Sequence, residues 1–451
     1  MGLVHGGVRM ELGERSAAVL GAFFANTKNR IGLIIMAALF IPFALMGLFD
    51  ELRYAIGYKY TSIFARPDDR FADLLKAAMS YRSITADLIG SHQIASWSQV
   101  YRNYLTAQPR FEGIILSHYN MPPLGALFHV FVAELLVAFD PSTALWTSIL
   151  LYVTGAFFAS LLLRRFFHVS VMDQIAVLFA FLLSFPALFM ITRGNFLAGY
   201  TCVCLAVYVL TAMKGQYRWL GLVCLALAIN IRPNTFVFGL LELVILNDHC
   251  ERKILGAGFL AMAIAYLSFL IVQTVDPDFV LDNLIEGMAV YNKAYVEGYM
   301  GFTWNFSLYG TTRVLRDSIG LQPYNETCNS IVNILGILSA LATLYLILMR
   351  RLTVVTATFL ATALSALFTP VFAFYHMVEF IVPLMAVLAA KGPATKIGSE
   401  NMLIFAVSLF CLCPFDEKRT IYPLFIFATM ILLMVRAYRK ESDVVESEPV
   451  S

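Results

Sequence analysis

Long apolar runs separated by short polar breaks set the pattern of the chain. They fall at 31–49, 122–139, 143–163, 174–192, 196–213, 219–231, 234–246, 254–275, 331–349, 353–369, 371–390, 402–414 and 421–435. A helix needs roughly 20 apolar residues to cross a bilayer. The runs therefore predict an all-α polytopic membrane protein, a bundle of about 11–13 transmembrane helices forming a single transmembrane domain over 1–451. The first 30 residues are mixed polar and basic, and Ile31–Phe49 is long enough to span. The expectation there is a first transmembrane helix with its N-terminus inside, not a cleaved signal.

Basic residues follow several runs: Lys214 and Arg218, Arg252 and Lys253, Arg350 and Arg351, Lys391, and Arg436 to Lys440. The positive-inside rule places these within and leaves two long outer loops, 50–121 and 276–330. The second carries seven acids against three bases, which agrees. One parity conflict arises. If 122–139 and 143–163 both cross, Arg164 and Arg165 lie outside, so an incomplete crossing broken at Asp140–Pro141 is the preferred reading.

Within the first loop, Phe71, Leu74, Leu75 and Ala78 repeat at i, i+3, i+4 and i+7. Asp69, Asp73, Lys76 and Ser80 form the opposite stripe. The spacing predicts a short amphipathic helix from Asp68 to Ser80, lying on the outer leaflet.

Composition sharpens the class. Of 451 residues, 59% are hydrophobic and 14% charged, with mean hydropathy +0.74. That much apolar surface needs lipid as solvent, which excludes a cytosolic enzyme, a secreted disulfide scaffold and a disordered chain. A net charge of +2 gives no nucleic-acid footprint. Cys202, Cys204, Cys224, Cys411 and Cys413 lie in apolar runs and Cys250 beside one. Cys328 falls in the outer loop alone, so neither a metal site nor a disulfide is expected.

Candidate chemistry sits where charge interrupts the apolar pattern. Asp69 and Asp73, one helical turn apart, suit a general base held near an acceptor hydroxyl; a solvated polar face fits the spacing equally well. Arg193 in T-R-G-N and Arg232 in I-N-I-R-P-N cannot rest in hydrocarbon, so each must reach an interface, a cavity or an anion. Pro233 breaks the helix beside Arg232, and a guanidinium fork matches phosphate; helix-end anchoring is the other reading. Tyr291, Tyr295 and Tyr299 recur at helical spacing before W-N-F-S-L-Y. They fit a sugar-stacking platform, with Asn305 bonding hydroxyls, or an interfacial belt. His376 follows Pro370 at a helix end. Asn325-Glu-Thr327 is a glycosylation sequon. No nucleotide-binding loop, metalloprotease motif or nucleophile elbow is present, so a transferred group would arrive on a lipid.

The order of these motifs resembles a family. D-D-R-F-A-D-L, then H-Y-N-M-P-P-L at 118–124, R-G-N at 193–195, Arg232–Pro233 and Y-H-M-V-E-F-I-V-P-L at 375–384 together look like the GT-C superfamily of membrane glycosyltransferases. They are most similar to glycosyltransferase family 87, the polyprenyl-phosphate-mannose-dependent mannosyltransferases and their bacterial relatives. The resemblance implies an inverting transferase in the plasma membrane with its site on the outer face. It implies a polyprenyl-phosphate sugar as donor, no other cofactor, and a glycan or glycolipid hydroxyl as acceptor. By its pattern Asp73 is the base, with Asp69 second. Arg193, Asn195 and Arg232 hold the donor phosphate, and the proline-pair stretch with Tyr119 shapes the acceptor side. Arg232 departs from the lysine common in relatives, and Leu75 from their usual aromatic. A lipid-sugar transporter and a surface-glycan polymerase or ligase are the rival readings.

Overall fold

The computed structural model describes residues 30–55, 73–74, 110–111, 114–115, 121–139, 141–245, 250–292, 305–320, 325–394, 397–413 and 421–439. The chain is an all-α polytopic membrane protein. The β-pairing among these residues is a two-residue antiparallel ladder, Arg110 opposite Ile115 and Phe111 opposite Ile114, and an isolated bridge between Asn305 and Ala373. The helices are α1 (Arg30–Ala55), α2 (Pro123–Ala138), α3 (Pro141–Phe167), α4 (Val171–Leu183), α5 (Phe185–Arg193), α6 (Phe196–Lys214), α7 (Arg218–Ile231) and α8 (Leu241–Ile245). They continue as α9 (Cys250–Val275), α10 (Leu281–Asn292), α11 (Leu308–Ser318), α12 (Asn325–Leu348), α13 (Val354–Leu367), α14 (Ile381–Lys391), α15 (Ser399–Leu412) and α16 (Ile421–Arg439). Two 3-10 segments, Pro233–Leu240 and Phe374–Phe380, lead into α8 and α14.

Among the described residues, six helical stretches are long and apolar enough to cross a membrane, and α4 with α5, bent by 40°, makes a seventh. Several other apolar runs form helices too short to span alone. The run pair 219–231 and 234–246 shows why. α7 leaves from Arg218, and by Glu242 the chain is back beside it: Arg218 and Glu242 are ion-paired, and the Tyr208 hydroxyl donates to Glu242 at 2.9 Å. These two runs are arms of one broken hairpin with Arg232 at its turn. The 14 residues of α7 rise only about 21 Å, short of a bilayer core of about 30 Å.

The layering follows from exposure. In the spanning part of α6, 72% of residues are buried, against 11% in α9, so α6 is central and α9 faces lipid. Close packing around α6 and α4 depends on glycine. A Cβ on Gly199 would meet the Tyr152 ring at 2.6 Å, and one on Gly32 would meet the Met172 backbone at 2.6 Å, so α1 rests directly on the start of α4.

The two ends of the bundle differ. At one, the Asp173 carboxylate accepts from Lys391 Nζ at 2.6 Å. Phe167 lies against Gly392, which brings Arg164 and Arg165 to the same end. At the other end lie Arg193 and Asn195. The Tyr200 hydroxyl, early in α6, donates to the Ser148 carbonyl at 3.0 Å, so α3 starts there. α2 starts there too, since Phe128 meets Tyr200 edge-on at 5.3 Å. Both helices therefore begin at one end, and α2 does not carry the chain across. This removes the parity conflict.

The second outer loop is more helical than a loop. α10 reaches Asn292, and α11 is a short amphipathic helix capped by Ser307, with Arg313 and Arg316 buried and Leu315 and Ile319 exposed. α12 begins at Asn325, so Cys328 and the Asn325 sequon lie in its first turns, not in a loop as expected.

Candidate functional site

The R-G-N turn explains how two polar side chains come to stand together. α5 ends at Arg193 because Gly194 takes a left-handed backbone, φ 76°, which glycine adopts without steric cost. The Gly194 N–H then bonds Ile191 O at 3.1 Å and the Asn195 N–H bonds Met190 O at 3.0 Å, the double closure of a Schellman turn. The chain reverses at once into α6. Arg193 and Asn195 thus project from the last residue of one helix and the residue before the next.

Both reach Asp73. Arg193 Nη2 donates to Asp73 Oδ1 at 2.7 Å, and Asn195 Nδ2 donates to Oδ2 at 3.2 Å. Of the first loop's expected helix, Asp73 and Leu74 are described; both are helical, and Leu74 is fully buried while Asp73 keeps partial exposure. The rest of the expected helix, with Asp69, lies outside the described residues. His129, buried in α2, faces the Asp73 carbonyl oxygen from Nε2 at 3.3 Å. The carboxylate is held by one donor on each oxygen. Each oxygen keeps a further lone pair for an incoming hydroxyl.

A second polar centre forms where the two 3-10 segments meet. Arg232, extended at φ −140° before Pro233, pairs with Glu379 from the other segment, and its guanidinium lies over the Phe372 ring at 5.3 Å. In a 3-10 helix residues three apart eclipse, so His376 and Glu379 share an edge. His376 Nδ1 and Glu379 Oε2 are both buried and have no hydrogen-bond partner among the described residues. Tyr291 and Tyr375 lie close enough to Arg232 to interact with it electrostatically. Tyr375 also stacks on Phe189, one turn before Arg193, with ring centroids 6.4 Å apart. That contact joins the two centres.

Arg193 and Arg232 were both expected on a donor phosphate. As the chain stands, each guanidinium is paired with a carboxylate, Asp73 and Glu379 respectively, because no unpaired charge is stable at such depth. Asn305 needs a correction. It is buried, its Oδ1 accepts from Ser307 N at 3.1 Å and Phe372 N at 3.0 Å, and its Nδ2 donates to Pro370 O at 2.7 Å. It staples the start of α11 to the approach to the second 3-10 segment and does not present its amide to a ligand. Asp69, Tyr119 and Tyr295 lie outside the described residues. Sequence reasoning missed His129 and the Glu379 partnership. The only sequence signal for Glu379 was its place in Y-H-M-V-E; for His129, a lone histidine in an apolar helix, there was none.

No family model, no curated protein and no solved structure matches the chain.

Proposed function

We propose that the protein is an inverting glycosyltransferase. It moves a sugar, a mannose-like hexose or a pentose, from a polyprenyl-phosphate donor to a hydroxyl of a glycan or glycolipid on the outer face of a bacterial plasma membrane. The observation that supports this best is the convergence of Asp73, Arg193 and Asn195. Two motifs 120 positions apart, the one holding Asp73 and R-G-N, meet at one end of a lipid-embedded bundle.

In this reading Asp73 takes the proton of the acceptor hydroxyl as that oxygen attacks the anomeric carbon. The bond from the anomeric carbon to phosphate breaks on the opposite face, and the polyprenyl phosphate leaves with the bonding electrons. Arg193 and Asn195 orient the carboxylate. Arg232 has N–H groups beyond the one on Glu379 for the leaving phosphate, a preorganised electrostatic contribution. His376 Nδ1 and Glu379 Oε2 supply a donor–acceptor edge for sugar hydroxyls, and Tyr291 and Tyr375 supply apolar faces. A lipid-phosphate donor requires no nucleotide site.

A transporter of lipid-linked sugars is the second reading. It draws on the two broken helices that meet at Arg232 and Glu379, since discontinuous helices face one another at transporter sites. The experiment is transfer from a polyprenyl-phosphate sugar by purified protein, wild type against Asp73→Asn and Asp69→Asn. Turnover should fall about 10²–10⁴-fold in Asp73→Asn. A loss confined to Asp69→Asn moves the base by one helical turn. Normal turnover in both sinks the mechanism, and lipid-sugar movement without transfer selects the transporter.

A further inference from the structure

His129 stands in α2, whose start is fixed by the proline pair Pro122–Pro123 and by Leu197 lying 3.4 Å from where a Gly125 Cβ would be. Its imidazole is 3% exposed. Nδ1 lies 2.9 Å from the Gly125 carbonyl oxygen, one turn back in the same helix, and Nε2 lies 3.3 Å from the Asp73 carbonyl oxygen. Both neighbours are acceptors. A neutral imidazole carries one N–H and can serve one of them; only the imidazolium serves both. The contact to Gly125 stays within one helix. The contact that joins two separate parts of the chain is the one from Nε2.

We propose that His129 is a positioning residue that donates from Nε2 to the Asp73 carbonyl and fixes the backbone of the candidate base. Arg193 and Asn195 fix its carboxylate. Asp73 is then held from three directions: by α2 through its main chain, and by the end of α5 and the start of α6 through its side chain. Leu74, fully buried, seats the segment beside it. The bond to the carbonyl adds a main-chain restraint that sets the angle at which the carboxylate meets a hydroxyl. The role of Asp73 rests on the transferase reading; the anchoring does not.

The test exploits the two amides that mimic the two ring nitrogens. Glutamine places its amide nitrogen near Nε2, and asparagine places its own near Nδ1. In full-length protein in nanodiscs, hydrogen–deuterium exchange of the peptide containing Asp73 and Leu74 should quicken at least about tenfold in His129→Asn and stay close to wild type in His129→Gln. Transfer should follow, with kcat falling about ten- to a hundredfold in His129→Asn, the usual cost of a misplaced group, and donor KM little changed. The reverse order would show that the histidine merely caps its own helix. Equal exchange in all three proteins would show that it only fills space. Exchange that follows the prediction without any change in kcat would keep the anchor and remove Asp73 as base. Nitrogen-15 spectra of histidine-labelled wild type give an independent reading, with the His129 resonance assigned by its loss in the glutamine variant. Nε2 should carry a proton, and an unprotonated Nε2 would overturn the proposal.

Discussion

Two carboxylate–cation pairs of similar chemistry mark the opposite ends of this bundle. Asp173 and Lys391 are 2.6 Å apart with side chains 0% and 2% exposed; Asp73 and Arg193 are 2.7 Å apart with side chains 20% and 23% exposed. The first pair is sealed. Asp173 also closes a capping box with Ser170 at the start of α4, and the backbone of α1 presses on the same turn at Gly32. The second is reached by solvent. A sealed pair fixes helix positions and has little room for anything else. An open pair keeps lone pairs accessible, which a general base requires. On the transferase reading, exposure more than distance separates a structural ion pair from a chemical one here.

Substitutions at the two ends should divide accordingly. The largest effect is that of Asp73→Asn, a fall in transfer of about 10²–10⁴-fold with the unfolding midpoint near that of wild type. A matching loss of thermal stability in detergent would erase the contrast. Next comes Lys391→Met, which leaves a buried carboxylate unpaired and should cost about 3–5 kcal/mol of stability. Adding Asp173→Leu should recover most of it, because well-packed apolar residues commonly replace a buried pair at little cost. Failure of that rescue would show that Asp173 does more than hold helices. Arg193→Ala removes a charge-assisted bond of about 1.5–3 kcal/mol. It should slow transfer by roughly ten- to a hundredfold, and combining it with Asp73→Asn should give no rescue. The smallest effect is expected from Gly194→Ala. A left-handed alanine costs about 1–2 kcal/mol, which should appear as a modest drop in stability and a roughly tenfold drop in transfer. An unchanged Gly194→Ala variant would mean that the turn is not what sets Arg193 against Asn195.

The parts of the fold legible in sequence are those carried by local pattern. Apolar runs became helices because lipid leaves the backbone no other partner than itself. Pro233 marked a real break, R-G-N marked a real reversal, and Leu74 is buried while Asp73 keeps some exposure. What stayed hidden is pairing across the chain. Glu379 lies 147 positions from Arg232, Lys391 lies 218 from Asp173, and His129 lies 56 from Asp73. No local spacing encodes such distances. Asn305 failed for a different reason: a carboxamide reads the same whether it serves a ligand or a neighbouring backbone. The broken hairpin of 219–231 and 234–246 was hidden too, because hydropathy measures how apolar a run is, not whether the chain turns back halfway.

The shared starting level of α2 and α3 bears on how the protein is made. Translation delivers α2 first, 16 residues apolar enough to partition into lipid as soon as they emerge. Nothing at its own C-terminal end fixes it, since no basic residue stands in its last turn. Arg164 and Arg165 stand at the far end of α3. Under the positive-inside rule, a basic pair there would hold that end of α3 on the side of synthesis and leave α2 at the other. The residues that bear on the placement of α2 would thus lie about 25 positions downstream of it, and would be read only after α3 has been made.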